Sequence, residues 1–278
     1  MSTVAISASE VNKLRQQTGA GMMDCKAALT EAGGDFEKAV EILRKKGQKV
    51  ADKRSDRETT EGYAVGKTNS AATKGIVVSL NCETDFVGKN ADFVAFAEKV
   101  ADIAINDFPA SKEELLAKQI DGLSIADHIT SMVGKIGEKI EVACFEKIEA
   151  AYVMAYNHPG NRVVSLVGFN KSTDGIETIA KDVAMQAAAM APVALDKADV
   201  PSDVVEKEIE IAKEILRKEG KPEDKIEMIA KGKLEKFYKE NTLLNQEFIK
   251  DSKKSVAQYV QSADKDLTVT AFKRYALS

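Results

Sequence analysis

Apolar residues recur at helical spacing along the first part of the chain: Val11, Leu14, Met23, Ala27, Ala28, Leu29, Phe36, Ala39, Val40 and Leu43. Ser7 and Glu10 stand at capping-box spacing and open a helix that runs to about residue 17. The run Thr18-Gly19-Ala20-Gly21 breaks it, and a second helix spans 22–32. Gly33-Gly34 stops that helix, and Asp35 caps a third that ends near Gly47. Three short helices predict a bundle of about 45 residues, small but able to close a core. Residues 48–61 are almost wholly polar and read as a solvated helix extension or a linker.

Beyond that run the period changes. Residues 62–68 and 75–82 alternate or run apolar with β-branched members, as strands do. Asn90 caps a helix to about residue 107, with Phe93, Val94, Ala97, Val100, Ala101 and Ala104 on one face, and helical stretches follow at 111–118 and 124–136. A second set begins near 139, with strands at 140–148, 151–157 and 162–169 and a helix over 175–190 ended by Pro192. The two sets read as a diverged repeat. Tyr63-Ala64-Val65 is answered by Tyr152-Val153-Met154, and Val77-Val78-Ser79-Leu80 letter for letter by Val163-Val164-Ser165-Leu166.

Residues 202–240 differ again. Val205, Ile209, Ala212 and Leu216 recur at helical steps, Gly220-Lys221-Pro222 interrupts, and Ile226, Ile229, Ala230, Leu234 and Phe237 resume. That pattern predicts an antiparallel helical hairpin with one apolar seam. The residues leave open whether the seam closes within the hairpin or against a partner. Residues 255–262 read as a short helix and 267–277 as a final strand. The expected fold class is α+β. Its expected parts are a helical head over 1–55, a core subdomain over 56–138, a second over 139–200 and 241–278, and a hairpin inserted at 201–240.

The length of 278 residues and a hydrophobic fraction of 44% fit two or three domains with real cores. The 40 basic and 44 acidic residues nearly balance, which argues against a nucleic-acid binder held by phosphate contacts. Trp is absent and aromatics are 6%, which argues against base-stacking platforms. Cys25, Cys82 and Cys144 are odd in number, far apart and form no CxxC pair, so neither a disulfide framework nor a zinc site is expected. Met1 to Ser7 carry no basic or long apolar segment, and no run approaches the roughly 18 apolar residues of a membrane span. The chain is expected in the cytoplasm, with no membrane contact.

Catalytic motifs are thin. Two histidines, His128 and His158, stand without a nucleophile at a recognised spacing. Gly62-Tyr63-Ala64-Val65-Gly66-Lys67-Thr68 resembles a phosphate-binding loop but is one residue short between its glycines and alternates as a strand. A paired strand cannot turn successive N–H groups toward one anion. No catalytic residue, metal site or cofactor is therefore expected. The informative loop is Glu83-Thr84-Asp85-Phe86-Val87-Gly88-Lys89. Phe86 is either a lid folded under its own helix or an exposed anchor for a partner, and periodicity does not choose between them. Met22 and Met23, beside a Gly-rich turn, are either core filler or an adaptable surface patch. His158 sits at the tip of a tight turn, where a histidine is most often merely solvated.

Two motifs carry a resemblance. Leu14-Arg15-Gln16-Gln17-Thr18-Gly19-Ala20-Gly21-Met22-Met23-Asp24-Cys25-Lys26, followed by Ala28-Leu29, is similar to the N-terminal signature of the elongation factor Ts family. Cys82-Glu83-Thr84-Asp85-Phe86-Val87 is similar to its second signature, and the order of modules fits nearly end to end. The resemblance implies a ubiquitin-associated-like head and a guanine-nucleotide exchange factor for the GTPase elongation factor Tu, without covalent chemistry. It implies partner contacts from Leu14, Arg15, Thr18, Met22 and Met23 in the head. Thr84, Asp85, Phe86 and Val87 would form a loop that disturbs the GTPase's Mg²⁺ site. It further implies a contact at His158 and dimerisation through the 201–240 hairpin. Many family members continue past the last strand into a further helix, whereas this chain stops at Ser278.

Overall fold

A computed structural model describes residues 6–278; the N-terminal reading of residues 1–5 falls outside them. The chain divides into two compact units, one of residues 1–65, 77–145 and 276–278, the other of 66–76 and 146–275. Among the described residues no helix is long and apolar enough to cross a membrane.

The first unit opens with α1 (Ala8–Thr18), α2 (Met22–Glu31) and α3 (Phe36–Lys53). The Ser7 hydroxyl accepts from the Glu10 N–H, and the Glu10 carboxylate accepts from the Ser7 N–H at 2.8 Å, closing the expected capping box. Val11, Leu14, Cys25, Ala28, Leu29, Ala39 and Leu43 form the bundle's core. Met23 and Ala27 do not join it: both are exposed, because Cys25, Ala28 and Leu29 supply the stripe of α2 that faces α1 and α3. Helix α3 runs on past Gly47 to Lys53, so the first part of the polar run takes the helix-extension reading. Its packing is tight. A Cβ on Gly47 would lie 2.5 Å from the Thr130 carbonyl oxygen, and one on Gly134 would lie 3.0 Å from the Gly47 Cα. These two glycines let α3 press against α7 (Ile125–Ile136), and an Arg44–Asp127 ion pair at 2.6 Å spans the same crossing.

Strands β1 (Glu61–Thr68) and β2 (Lys74–Cys82) lead to α4 (Asp85–Gly88), α5 (Ala91–Asp107) and α6 (Lys112–Ala117). The Asn90 side chain caps α5 as expected, accepting from the Asp92 and Phe93 N–H groups. A small antiparallel pair, β3 (Gln119–Ile120) with β4 (Leu123–Ser124), precedes α7. It was not expected, although its turn, Asp121-Gly122 with both φ positive, is a common hairpin signal. After α7 comes β5 (Ile140–Glu149), and the sheet order is β1-β2-β5.

The second unit holds β6 (Tyr152–Asn157), β7 (Val163–Phe169) and α8 (Ile176–Met190). It continues with α9 (Ser202–Lys218), α10 (Glu223–Asn241), β8 (Glu247–Phe248), β9 (Asp251–Ser255), α11 (Val256–Gln261) and β10 (Val269–Ala276). Strands β6 and β7 pair antiparallel from Tyr152↔Phe169 to Asn157↔Val164, in the sheet β10-β7-β6. Its core gathers Val167, Phe169, Val183 and Ala187 with Leu243, Val260 and Leu267. Helices α9 and α10 bury Ala212, Leu216, Ile226 and Ala230 against one another. Val205, Ile209, Leu234 and Phe237 are only half-buried, while Ile211, Ile215 and Met228 stand exposed.

Candidate functional site

The site begins where β2 ends. Helix α4 is four residues long, too short to hold itself by its own hydrogen bonds. Side chains around it supply the support. The buried Cys82 thiol donates to the Thr84 carbonyl at 3.1 Å, and burial, with the Glu138 charge, pushes its pKa up to about 12, keeping the proton on sulfur. The Thr84 hydroxyl and N–H donate to the two oxygens of Glu138 at 2.7 and 3.0 Å. Arg54 Nη1 donates to both oxygens of Glu83 at 2.9 Å, and the Lys139 N–H donates to the same carboxylate at 2.6 Å. Burial pushes the Glu83 pKa up, but the Lys139 N–H, the Arg54 contact and the Arg57 charge outweigh it and hold the carboxyl below its ordinary value. Behind the helix, a Cβ on Gly88 would lie 3.1 Å from the Gly62 nitrogen, so backbone meets backbone there.

The consequence is an outward aromatic. Phe86 is 85% exposed, so it is no lid over α5. Val87 is half-buried, and Asp85 pairs with Lys89 at 2.7 Å, a hydrogen bond that holds its carboxyl below the ordinary range. Phe86 and Val87 edge a groove of about 490 Å³, whose other walls include Gly19, Phe93, Met132 and Ile136, with Asp92 and Lys135 at its side. Gly19 brings the head to this groove. It ends α1 at φ 66°, a left-handed conformation that glycine adopts without strain.

Of the head residues singled out in the sequence, Arg15, Met22 and Met23 are exposed, the two methionines by 55% and 76%. Leu14 and Thr18 are not available as surface. Leu14 is wholly buried in the bundle, and the buried Thr18 hydroxyl donates to the Leu14 carbonyl at 2.8 Å and accepts from the Ala20 N–H at 3.3 Å. They shape the Gly19–Gly21 turn from inside, because the apolar seam of α1 needs Leu14 and the turn needs a local acceptor. His158 belongs to the second unit. It is exposed on a turn, with its Nδ1 3.0 Å from the Tyr156 hydroxyl.

The 62–68 run is strand β1, as its alternation indicates. The Gly66 N–H donates to Asn157 Oδ1 at 2.7 Å, and Asn157 Nδ2 donates to the Gly66 carbonyl at 3.0 Å. A Cβ on Gly66 would lie 2.8 Å from Val164 Cγ1, and one on Gly62 would lie 2.3 Å from the Leu80 carbonyl oxygen. These glycines permit close packing rather than cradle a phosphate.

Sequence reasoning missed Arg54, Glu138 and Lys139. Each reaches the loop from a distant stretch of chain, and no local pattern announces the pairing. The only faint signal was a charged pair directly after Gly137, the left-handed cap of α7.

Fold and site together define an α+β protein that presents apolar side chains to solvent, Phe86 from a one-turn helix tied down by hydrogen bonds and Met22 and Met23 from the head. The family described as elongation factor TS matches residues 83–278. A relative from Flavobacterium psychrophilum, named elongation factor Ts, is 57% identical over 272 residues, which is 98% of each chain. Relatives of the same name from Christiangramia forsetii and Porphyromonas gingivalis are 56% and 47% identical, covering 98% and 99% of each chain. The chain belongs to the elongation factor Ts family of translation elongation factors.

Proposed function

We propose that the protein is a guanine-nucleotide exchange factor for elongation factor Tu, acting in the cytoplasm during polypeptide elongation without covalent chemistry of its own. The observation that carries this reading is Phe86, 85% exposed at the tip of a braced four-residue helix. An aromatic held out at that exposure serves as an anchor for a partner surface. In the proposed mechanism Phe86 enters the GTPase's nucleotide domain, with Thr84, Asp85 and Val87 around it. The insertion disturbs the groups that hold Mg²⁺ against the phosphates. Losing that local charge weakens the hold on GDP. Linkage requires the reverse as well: GDP lowers the GTPase's affinity for this protein by the same factor.

Arg15, Met22 and Met23 add a second contact from the ubiquitin-associated-like head, and Leu14 and Thr18 hold the turn that presents them. His158 adds a third from the second of two related core subdomains. The 201–240 hairpin is the proposed dimerisation module. Its seam is partly closed within itself, and the exposed Ile211, Ile215 and Met228 offer a face to a second copy. Release of labelled GDP from purified elongation factor Tu, with and without the protein, tests the function. Acceleration at substoichiometric protein is expected, and an unchanged release rate would refute it.

A further inference from the structure

We infer that Glu138 is a positioning residue for exchange, setting the direction of Phe86 through Thr84. The inference rests on the reading of Phe86 as the exchange contact. Thr84 is the N-cap residue of α4, yet its side chain makes no capping bond to that helix. Its hydroxyl is committed to Glu138 Oε1 at 2.7 Å, and its N–H to Oε2 at 3.0 Å. One carboxylate therefore fixes two groups of the residue on which α4 starts, and fixes the rotation of the chain entering it. The next residue works in the opposite sense, because the Lys139 N–H donates to Glu83 at 2.6 Å. The pairs 83–84 and 138–139 are thus cross-tied. Phe86 lies two residues beyond this tie on a helix of one turn. Its ring stands in solvent, so the direction it takes depends on how the chain enters that turn.

Charge matters to the tie. A carboxylate accepts at both oxygens, whereas an amide in its place accepts at one and leaves a donor N–H without an acceptor. A brace that only stabilised the fold would act on unfolding. A brace that aims Phe86 acts on exchange, and only while Phe86 is present.

The test is a double-mutant cycle in the full chain, read as GDP release from elongation factor Tu, with urea unfolding of each variant. Phe86→Ala should slow exchange about a hundredfold. Glu138→Ala, which removes both acceptors, should slow it about tenfold. In the Phe86→Ala background the same change should add less than about twofold, because there is no ring left to aim. Glu138→Gln, which keeps the volume and one acceptor, should fall between wild type and Glu138→Ala. Thr84→Val, which removes the hydroxyl and keeps the backbone N–H, should mimic that intermediate loss. Normal exchange by folded Glu138→Ala and Glu138→Gln would overturn the inference while leaving Phe86 its role. A full tenfold effect of Glu138→Ala in the Phe86→Ala background would also overturn it, as would a slowing that merely follows lost stability. Normal exchange by Phe86→Ala would instead remove the reading on which the inference stands.

Discussion

The two strand–helix segments that share four letters part company at one place. In the first, Val77, Val78, Ser79 and Leu80 are all buried, and the Ser79 hydroxyl donates to Asn81 Oδ1 at 2.6 Å. In the second, Val164, Ser165 and Leu166 are buried, and the Ser165 hydroxyl donates to the Ala184 carbonyl at 2.7 Å. At its end β7 stays inside the fold. Phe169 is fully buried, and Asn170 is bonded on both sides to residues 266 and 268 of its own unit. After β2 the chain grows a one-turn helix and lifts Phe86 out of it. The shared strand supplies packing in both segments, and the connection alone distinguishes the one that carries the proposed site.

The sharpest way to break this contrast is to truncate each phenylalanine. Phe169→Ala should cost about 3–5 kcal/mol in urea unfolding, since it removes a packed core ring. Phe86→Ala should change stability by no more than about 0.5 kcal/mol and slow GDP release about a hundredfold. Equal destabilisation by the two would mean that Phe86, like Phe169, serves the fold.

Two glycines within helices offer a second contrast between the units. Gly47→Ala should cost about 1–3 kcal/mol, because the new methyl has no room against the Thr130 carbonyl oxygen 2.5 Å away. Gly232→Ala, in α10, should instead stabilise by up to about 1 kcal/mol, since nothing lies within 4 Å of the added Cβ. Thermal unfolding of both variants checks the signs.

The smallest expected effect sharpens the account of the loop itself. Glu83 has a folded pKa below its ordinary value of 4.5, so its stabilising contribution is fully present above that pH. The contribution is lost as pH falls through the lower, folded value. The stability gap between wild type and Glu83→Gln should therefore narrow as the solution is acidified below pH 4.5. Urea midpoints at several acid pH values measure it, and a gap that widens on acidification would mean that Glu83 is not held as a carboxylate.

Local chemistry by itself determined much of this protein. Ser7 with Glu10, Asp35 and Asn90 mark helix starts because a cap and the N–H groups that donate to it lie within three residues of each other. The change from helical to strand period located β1, β2, β6 and β7, and two motifs carried the family. Tertiary structure decided the rest. Helix α2 carries two apolar stripes, Cys25 with Ala28 and Leu29, and Met23 with Ala27, and its partner helices choose which is buried. Helices α3 and α7 meet at Gly47 and Gly134, a close approach that no local spacing announces. Phe86 stands in solvent because Glu138 and Arg54 hold its loop from 54 and 29 residues away along the chain from the residues they grip. Periodicity reports only what recurs within a few residues. Pairings between distant stretches are set when the chain closes on itself, and they leave no spacing in the sequence to read.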